Sequence, residues 1–505
     1  MPVVSALSYP GVYIQEIPSG VRTITGVATS ITAFIGRALR GPVNDAVMIL
    51  SFAEFERQFG GADAGYPLSY AVRDFFMNGG AQAIIVRLYT PLFATQLERN
   101  AAVAAATTNA QAGAAKVAKA ASGAAAVAGA KPADVVAAAN GALAGLTGAG
   151  KAAGELVAAA AKKKADDAGT TATDVAGVAT AAKTDAVKAA AGGAAPFNRA
   201  RLTLPPTGAS GVVLEAATPG VWGNVLQVTV DWDIRKNDDG SDNPNLFNLG
   251  VAEVPKDGSP GRTEKFLNVS CNENDARYVT RVLIQESSLV RTVGKPTVRP
   301  DEGKTQVDSD GQASDSKPLE SSGFIGDPNQ KTGLYALEKT DLFNLLCIPA
   351  DTRAGNTPKD VYEKALAYCV TRRAMLLIDP PHAWSANAST AAAAALDGLD
   401  KDIGLSGPSA RNAAIFFPRL LEVDPMRGGQ IAEFVPCGAV AGIFARTDST
   451  RGVWKAPAGL DAAITGVNLT ASLTDLEIQS ARHQRHTRFP RVRARRLGIA
   501  HIARR

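Results

Sequence analysis

Histidine is nearly missing from this chain: it has four in 505 residues, and only His382 lies outside the last 24 positions. General acid–base work at neutral pH most often falls to histidine. His382 follows two prolines in Asp379-Pro380-Pro381-His382-Ala383-Trp384, so a loop-packing role is expected. No GxSxG elbow and no HExxH pair occurs, and His483 and His486, at i and i+3, have no carboxylate nearby. Cysteine is as scarce. Cys271, Cys347, Cys369 and Cys437 stand far apart with no CxxC spacing, and the last three sit among apolar residues. Buried free thiols are expected rather than a disulfide framework or a zinc site. Long apolar runs are also lacking: none approaches the roughly 20 residues of a membrane span. Met1-Pro2-Val3-Val4-Ser5 has neither the basic region nor the apolar run of a secretory signal. The expectation is a chain made and folded in the cytoplasm, not an enzyme, with no cofactor, no metal and no direct membrane insertion.

Distributed basic charge is missing too, although the formal net charge is +5. Residues 482–505 hold nine arginines and no acid, so removing them leaves residues 1–481 at −4. Such a body has no basic face to neutralise phosphates along a duplex, and no nucleic-acid partner is expected. One lookalike of a nucleotide site, Gly145-Leu146-Thr147-Gly148-Ala149-Gly150-Lys151-Ala152, fails at the last position, where a hydroxyl should hold magnesium. No apolar strand precedes it.

What is present is globular in composition, 46% hydrophobic and 20% charged, and too long for one core. Residues 1–20 carry three prolines, two glycines and a short alternating stretch, Val12-Tyr13-Ile14-Gln15-Glu16, and read as an extended arm seeking a sheet edge. Residues 21–95 read as a β–α–α–β unit. It has a strand at 31–36, a capping box Ser51-Phe52-Ala53-Glu54 opening a helix, a second helix over 68–77, and a strand at 83–89. Residues 96–196 change character: 43 of the 96 positions from 101 to 196 are alanine and none is aromatic. Alanine favours helix but buries little surface, and glycines such as Gly113 and Gly150 are expected to interrupt any long helix. The segment reads as a partly helical, mobile surface insertion. Residues 197–330 read as β-rich, with a strand at 225–232 and a polar excursion over 299–322. Residues 331–481 return to α/β order, with strands at 343–348, 374–378 and 413–417, and helices over 359–373 and within 388–402. The fold class expected is α/β and multidomain, an α/β core built from N- and C-terminal segments with a β-rich middle domain and an Ala-rich insertion.

Several segments in this order resemble the contractile tail sheath family, which jackets contractile phage tails and phage-tail-like injection particles. They are Tyr9-Pro10-Gly11-Val12-Tyr13-Ile14-Gln15-Glu16, Phe34-Ile35-Gly36 with Gly41-Pro42, and Phe75-Phe76-Met77-Asn78-Gly79-Gly80 before Val86-Arg87. Further on come Leu377-Ile378-Asp379-Pro380-Pro381, Phe416-Phe417-Pro418-Arg419, Val440 to Asp448 (VAGIFARTD), and Arg451 to Gly459 (RGVWKAPAG). The resemblance implies a structural subunit that polymerises with itself as stacked hexameric rings around an inner tube protein, between baseplate and terminator proteins. On a trigger it contracts and drives the tube through a target envelope. It also implies an N-terminal arm that adds a strand to a neighbour, with Tyr9, Pro10, Gly11, Val12, Tyr13 and Ile14 as contacts; an arm packed on its own subunit is the bland reading. Arg446, Asp448, Arg451 and Lys455 are candidates for a charged intersubunit contact or a locally satisfied loop. The alternative class is another self-assembling particle protein, a tube or capsid component.

Residues 482–505 depart from the family pattern. One choice of codons for 482–488, read one base later, gives Gly-Ile-Asn-Val-Ile-Arg, as the family would continue. The expectation is a segment translated out of frame, against the alternative of a genuine basic tail.

Overall fold

The computed structural model describes residues 29–206, 211–237, 240–387, 389–458, 462–464, 467–474 and 477, together with a strand at 499–501. Among these residues the architecture is α/β, with four sheets and four separate apolar clusters.

The first elements are β1 (Thr32–Gly36), β2 (Ala46–Ile49), α1 (Phe52–Phe59), α2 (Pro67–Met77) and β3 (Ala83–Arg87). Ser51 caps α1 as the sequence implies, its Oγ accepting from Glu54 N at 3.2 Å; the reciprocal bond goes one residue further out, Glu54 Oε2 accepting from Leu50 N at 2.7 Å. Gly60, at φ 97°, ends α1 in the left-handed region that glycine enters at no steric cost.

The Ala-rich segment folds as helices joined by short turns: α3 (Gln96–Ala125), α4 (Pro132–Gly141), α5 (Gly148–Ala165), α6 (Ala172–Ala181) and α7 (Lys183–Ala194). Against expectation, Gly113 and Gly123 lie inside a helix of 30 residues. The reason is close packing. A Cβ on Gly113 would stand 1.9 Å from the Gly150 carbonyl oxygen, so glycine lets α3 and α5 cross with their backbones in contact. Alanine then suffices for a core, because each small side chain fills a narrow gap. Twenty buried residues form its apolar cluster, all alanine except Val117, Val135, Val157 and Val175. The segment is also duplicated. Val157, Gly169, Asp174, Val175 and Ala179 each follow Val117, Gly129, Asp134, Val135 and Ala139 by 40 positions. Gly129 and Gly169 share φ 78°, and Asp134 and Asp174 cap α4 and α6 through the amides of Lys131 and Thr171 at 2.8 and 2.9 Å.

The middle region contributes β4 (Arg201–Thr203), β5 (Val213–Ala216), β6 (Leu226–Asp231), β7 (Leu246–Glu253), β8 (Thr263–Ser270), α8 (Val279–Glu286), β9 (Val290–Thr292) and β10 (Gly303–Gln306). They form two antiparallel sheets, β4-β5-β9 and β10-β6-β7-β8, over one core that includes Phe247, Leu249 and Val282. The polar excursion expected over 299–322 supplies the edge strand β10.

Then follow α9 (Ser321–Ile325), β11 (Leu345–Cys347), α10 (Lys359–Arg372), β12 (Met375–Ile378), α11 (Ala391–Gly398), β13 (Ala413–Phe417), β14 (Leu420–Asp424), β15 (Gln430–Phe434), α12 (Cys437–Arg451), β16 (Asn468–Leu469) and β17 (Ile499–His501). The central sheet runs β17-β13-β12-β11-β1-β3-β2, parallel throughout except for β2. β1 therefore lies between β3, close in sequence, and β11, with Thr32 opposite both Ala83 and Leu345. Side chains alternate between two faces, as strand geometry requires. Ile35, Val86, Leu346 and Ile378 meet α10 and α11 on one side. Phe34, Ile85, Cys347 and Leu377 meet α1, α2 and α12 on the other. β14, β15 and β16 form a small antiparallel sheet beside α2.

Candidate assembly surface

α12 is the element on which the family-like segments converge. Its sequence places Gly438 and Gly442 one turn apart, and α2 lies directly on them. A Cβ at Gly438 would stand 2.0 Å from the Ala71 carbonyl oxygen, and one at Gly442 2.5 Å from that of Phe75. Just beyond α2, Gly79 at φ 102° lies under the Arg446 side chain. Thus Phe75–Gly80 and Val440–Asp448 are two sides of one helix contact. The other segments are joints as well. Asp379 Oδ1 accepts from Cys437 N at 2.9 Å, at the start of α12. Arg419, wholly buried, donates to the carbonyls of Pro380, Arg353 and Gly355 at 2.8–3.0 Å. Arg87 donates to the carbonyls of Ala38, Gly41 and Pro219 at 2.8, 2.8 and 2.9 Å, tying the end of β3 to the middle region. Each buried guanidinium finds several oxygens in place of water, the condition on which charge is tolerated inside a protein.

A second polar seam joins α2 to the β14–β15 hairpin. Arg73 Nη2 reaches Asp74 Oδ1 at 2.9 Å and Glu422 Oε2 at 2.6 Å. Tyr70 Oη donates to Asp424 Oδ1 at 2.8 Å, and Arg353 pairs with the other Asp424 oxygen at 2.6 Å. Burial pushes the Glu422 carboxyl up to about 8, with the neighbouring Asp74 adding to it against the pull of Arg73. Burial pushes Asp74 up to about 6 despite the same arginine. Two carboxyls so placed hydrogen-bond each other only while one keeps its proton. The outer face of the hairpin is apolar and exposed: Val423 is 59% exposed, and Ile431 opposite it 65%.

The residues singled out from the sequence are placed as follows. Tyr9, Pro10, Gly11, Val12, Tyr13 and Ile14 lie outside the described residues, as do 482–498 and 502–505. Arg446 Nη2 donates to the Ala463 carbonyl at 3.0 Å, and its stem covers Gly79. Asp448 accepts a hydrogen bond from Ser30 Oγ, so it holds the chain just ahead of β1. Arg451, at the last turn of α12, is exposed, and exposed Lys455 Nζ donates to the carbonyls of Ala456 and Ala458 at 3.0 Å each. Arg446, Asp448 and Lys455 thus bind within this chain, and the neighbouring Trp454 is 79% exposed. Sequence reasoning missed Asp74, Glu422, Asp424 and Arg353. The signal available for Asp74 was an adjacent Arg73-Asp74 pair within a mostly apolar helix.

His382 opens a short turn; its N donates to Asn356 Oδ1 at 2.8 Å and its Nδ1 lies 2.7 Å from Glu433 Oε1. The nucleotide-site lookalike is a helix start: no strand precedes it, Gly150 lies 2.8 Å, measured from a built Cβ, from the Asn109 carbonyl oxygen, and Lys151 faces Glu155 at 3.8 Å. All four cysteines are free and buried. Among the described residues no group of three His, Cys, Asp or Glu is arranged to hold a metal ion, and no helix is long and apolar enough to cross a membrane.

No protein-family model matches the chain, and no curated protein matches it. Among solved structures it is similar to a sheath tail protein of Listeria innocua, with a TM-score of 0.45 and 12% identity over 89% of this chain and 63% of that one. A sheath tail protein of Desulfitobacterium hafniense aligns with a TM-score of 0.40 and 10% identity, over 93% and 69%. The PVC sheath complex of an extracellular contractile injection system, in its contracted state, aligns at 0.34 and 12%, over 95% and 61%. The chain thus spans somewhat less than two thirds of the first of these. At TM-scores below 0.5 these likenesses add no weight to the functional reading, which rests on the chain's own segments.

Proposed function

We propose that this chain is a structural, non-enzymatic subunit of a contractile tail sheath. It polymerises around an inner tube and, on contraction, drives the tube through a target cell envelope. In this reading residues 21–95 and 331–481 build the core, 197–330 a middle domain, 96–196 an insertion, and 1–20 an arm that adds a strand to a neighbour. Tyr9, Pro10, Gly11, Val12, Tyr13 and Ile14 make the arm's contacts, with Arg446, Asp448, Arg451 and Lys455 at a second contact. Its partners are further copies of itself, an inner tube protein, and baseplate and terminator proteins; the chain passes from the cytoplasm into the particle.

One observation supports this most. The sheath-like segments around 75–80, 377–381, 416–419 and 440–448 are far apart in sequence, yet they meet at α12 and at the buried Arg419 guanidinium. Such joints make a stiff body. Subunits that rotate as rigid bodies during contraction need this property, while the links between them bend. Electron microscopy of the purified full chain tests the reading: striated cylinders of two widths are expected. Particles that stay monomeric over a wide concentration range, or that close into shells, would overturn it.

A further inference from the structure

Between the α/β core and the middle region lies an open cleft of about 1030 Å³ whose cations are Arg40, Arg57, Arg199, Arg262, Arg291 and Lys339. Its carboxylates are too few for them: Arg57 has Glu54 at 3.3 Å and Lys339 has Asp45 at 3.4 Å, but the other four have two between them. Glu253 serves both Arg40 at 3.0 Å and Arg262 at 2.7 Å. Glu215 serves both Arg199 at 3.5 Å and Arg201 at 3.0 Å. Arg291 donates only to the carbonyls of Ser287 and Val290, both at 2.7 Å, and forms no ion pair among the described residues. The Arg40 Nε is buried without a hydrogen-bond partner. Burial and a neighbouring arginine lower both Arg40 and Arg291 from the usual guanidinium range, Arg262 acting on the first and Arg199 on the second. A surplus of positive charge held half out of water favours an incoming anion. The cleft is far larger than a single phosphate, and signs are mixed along its wall, with Asp45 beside Lys339. Mixed signs suit a protein surface better than the uniform charge of a nucleic-acid backbone.

We infer that this cleft is an assembly site that receives a carboxylate-bearing loop of a second copy of the chain. Residues 1–481 carry a net −4 even with this cleft's own cations counted, so outside the cleft, and apart from the basic residues 482–505, the body of a copy is acidic and complements it. The inference rests on the self-assembly reading above, and it places one contact of that assembly on the core–middle junction.

The test uses the full chain and the variant R57E/R291E, with R57Q/R291Q as a neutralised control and thermal melts to confirm folding. Sedimentation reads self-association; fluorescence anisotropy with a labelled ten-residue polyglutamate peptide reads the cleft of the dispersed chain. The expected result is self-association weakened at least tenfold in R57E/R291E, less so in R57Q/R291Q. Peptide binding should fall in parallel, and both should fade in high salt. A wild-type chain that polymerises as well as its reversed variant overturns the cleft contact and leaves the sheath reading standing. A wild-type chain that does not polymerise overturns the sheath reading, and peptide binding then decides whether the cleft takes carboxylates. A short DNA duplex bound more tightly than the peptide, with the same dependence on Arg57 and Arg291, would replace the protein partner with a nucleic acid.

Discussion

The carboxyl pair Asp74–Glu422 is the residue-scale feature with the clearest measurable consequence. Both groups are raised above their ordinary values, so between those values and about 8 the folded chain holds protons that the unfolded chain has released. Stability is then present in full below the ordinary carboxylate range and lost as pH rises through about 6 and about 8. The melting temperature is expected to fall between about pH 5 and about pH 9, and Glu422→Gln, which keeps the hydrogen bond without the charge, should flatten that slope. An identical slope in wild type and variant would show that the pair does not titrate as described. Gly438 gives a second prediction at this scale. A side chain there must push α12 off α2, and Gly438→Val should cost about 1–3 kcal/mol or more, read as a lowered urea midpoint. An unchanged midpoint would mean that α2 can retreat freely.

Elements were legible where a local signal sets them. Ser51 and Glu54 announced α1, and the apolar run at 83–89 announced β3, observed at Ala83–Arg87. The strand at 413–417 and the helix from Lys359 were equally plain, because periodicity and end signals are local properties. What escaped was everything that depends on a partner distant in the chain. Nothing near Thr32 says that Leu345 lies beside it, and nothing near Asp74 names Glu422. The duplication inside the Ala-rich segment escaped for another reason: with so much alanine, only four valines, two glycines and two aspartates mark the repeat. The glycines of α3 and α5 were read for what they cost a lone helix, whereas their effect lies in the crossing. The helical segment also leaves and returns at one place, since Thr95 and Phe197 line the same small cleft and the Arg99 guanidinium lies 3.3 Å from the Phe197 ring centroid. Replacing residues 96–196 with a short Gly-Ser linker should therefore leave the remaining chain folded with one cooperative transition by calorimetry. It would lose the Lys188–Asp310 pair, whose members are largely exposed. Aggregation or loss of the transition would show that the helices support the rest.

For the whole molecule, the seven-stranded sheet is completed only by residues from both ends of the chain. β1 has β3 on one side within 60 residues, but its other neighbour is β11, whose first residue is Leu345. At roughly 5–20 residues per second, a ribosome that has finished β3 needs roughly 15–50 s more to deliver β11. Through that interval the flank of β1 bearing Thr32, Ala33 and Phe34 has unsatisfied amides and carbonyls facing the cell, the kind of edge that invites pairing with a stray strand. The helical segment and the middle region can each bury a core of their own meanwhile. The nascent chain would then carry two finished units on an unfinished one, and growing it slowly and cool should raise the yield of well-formed product.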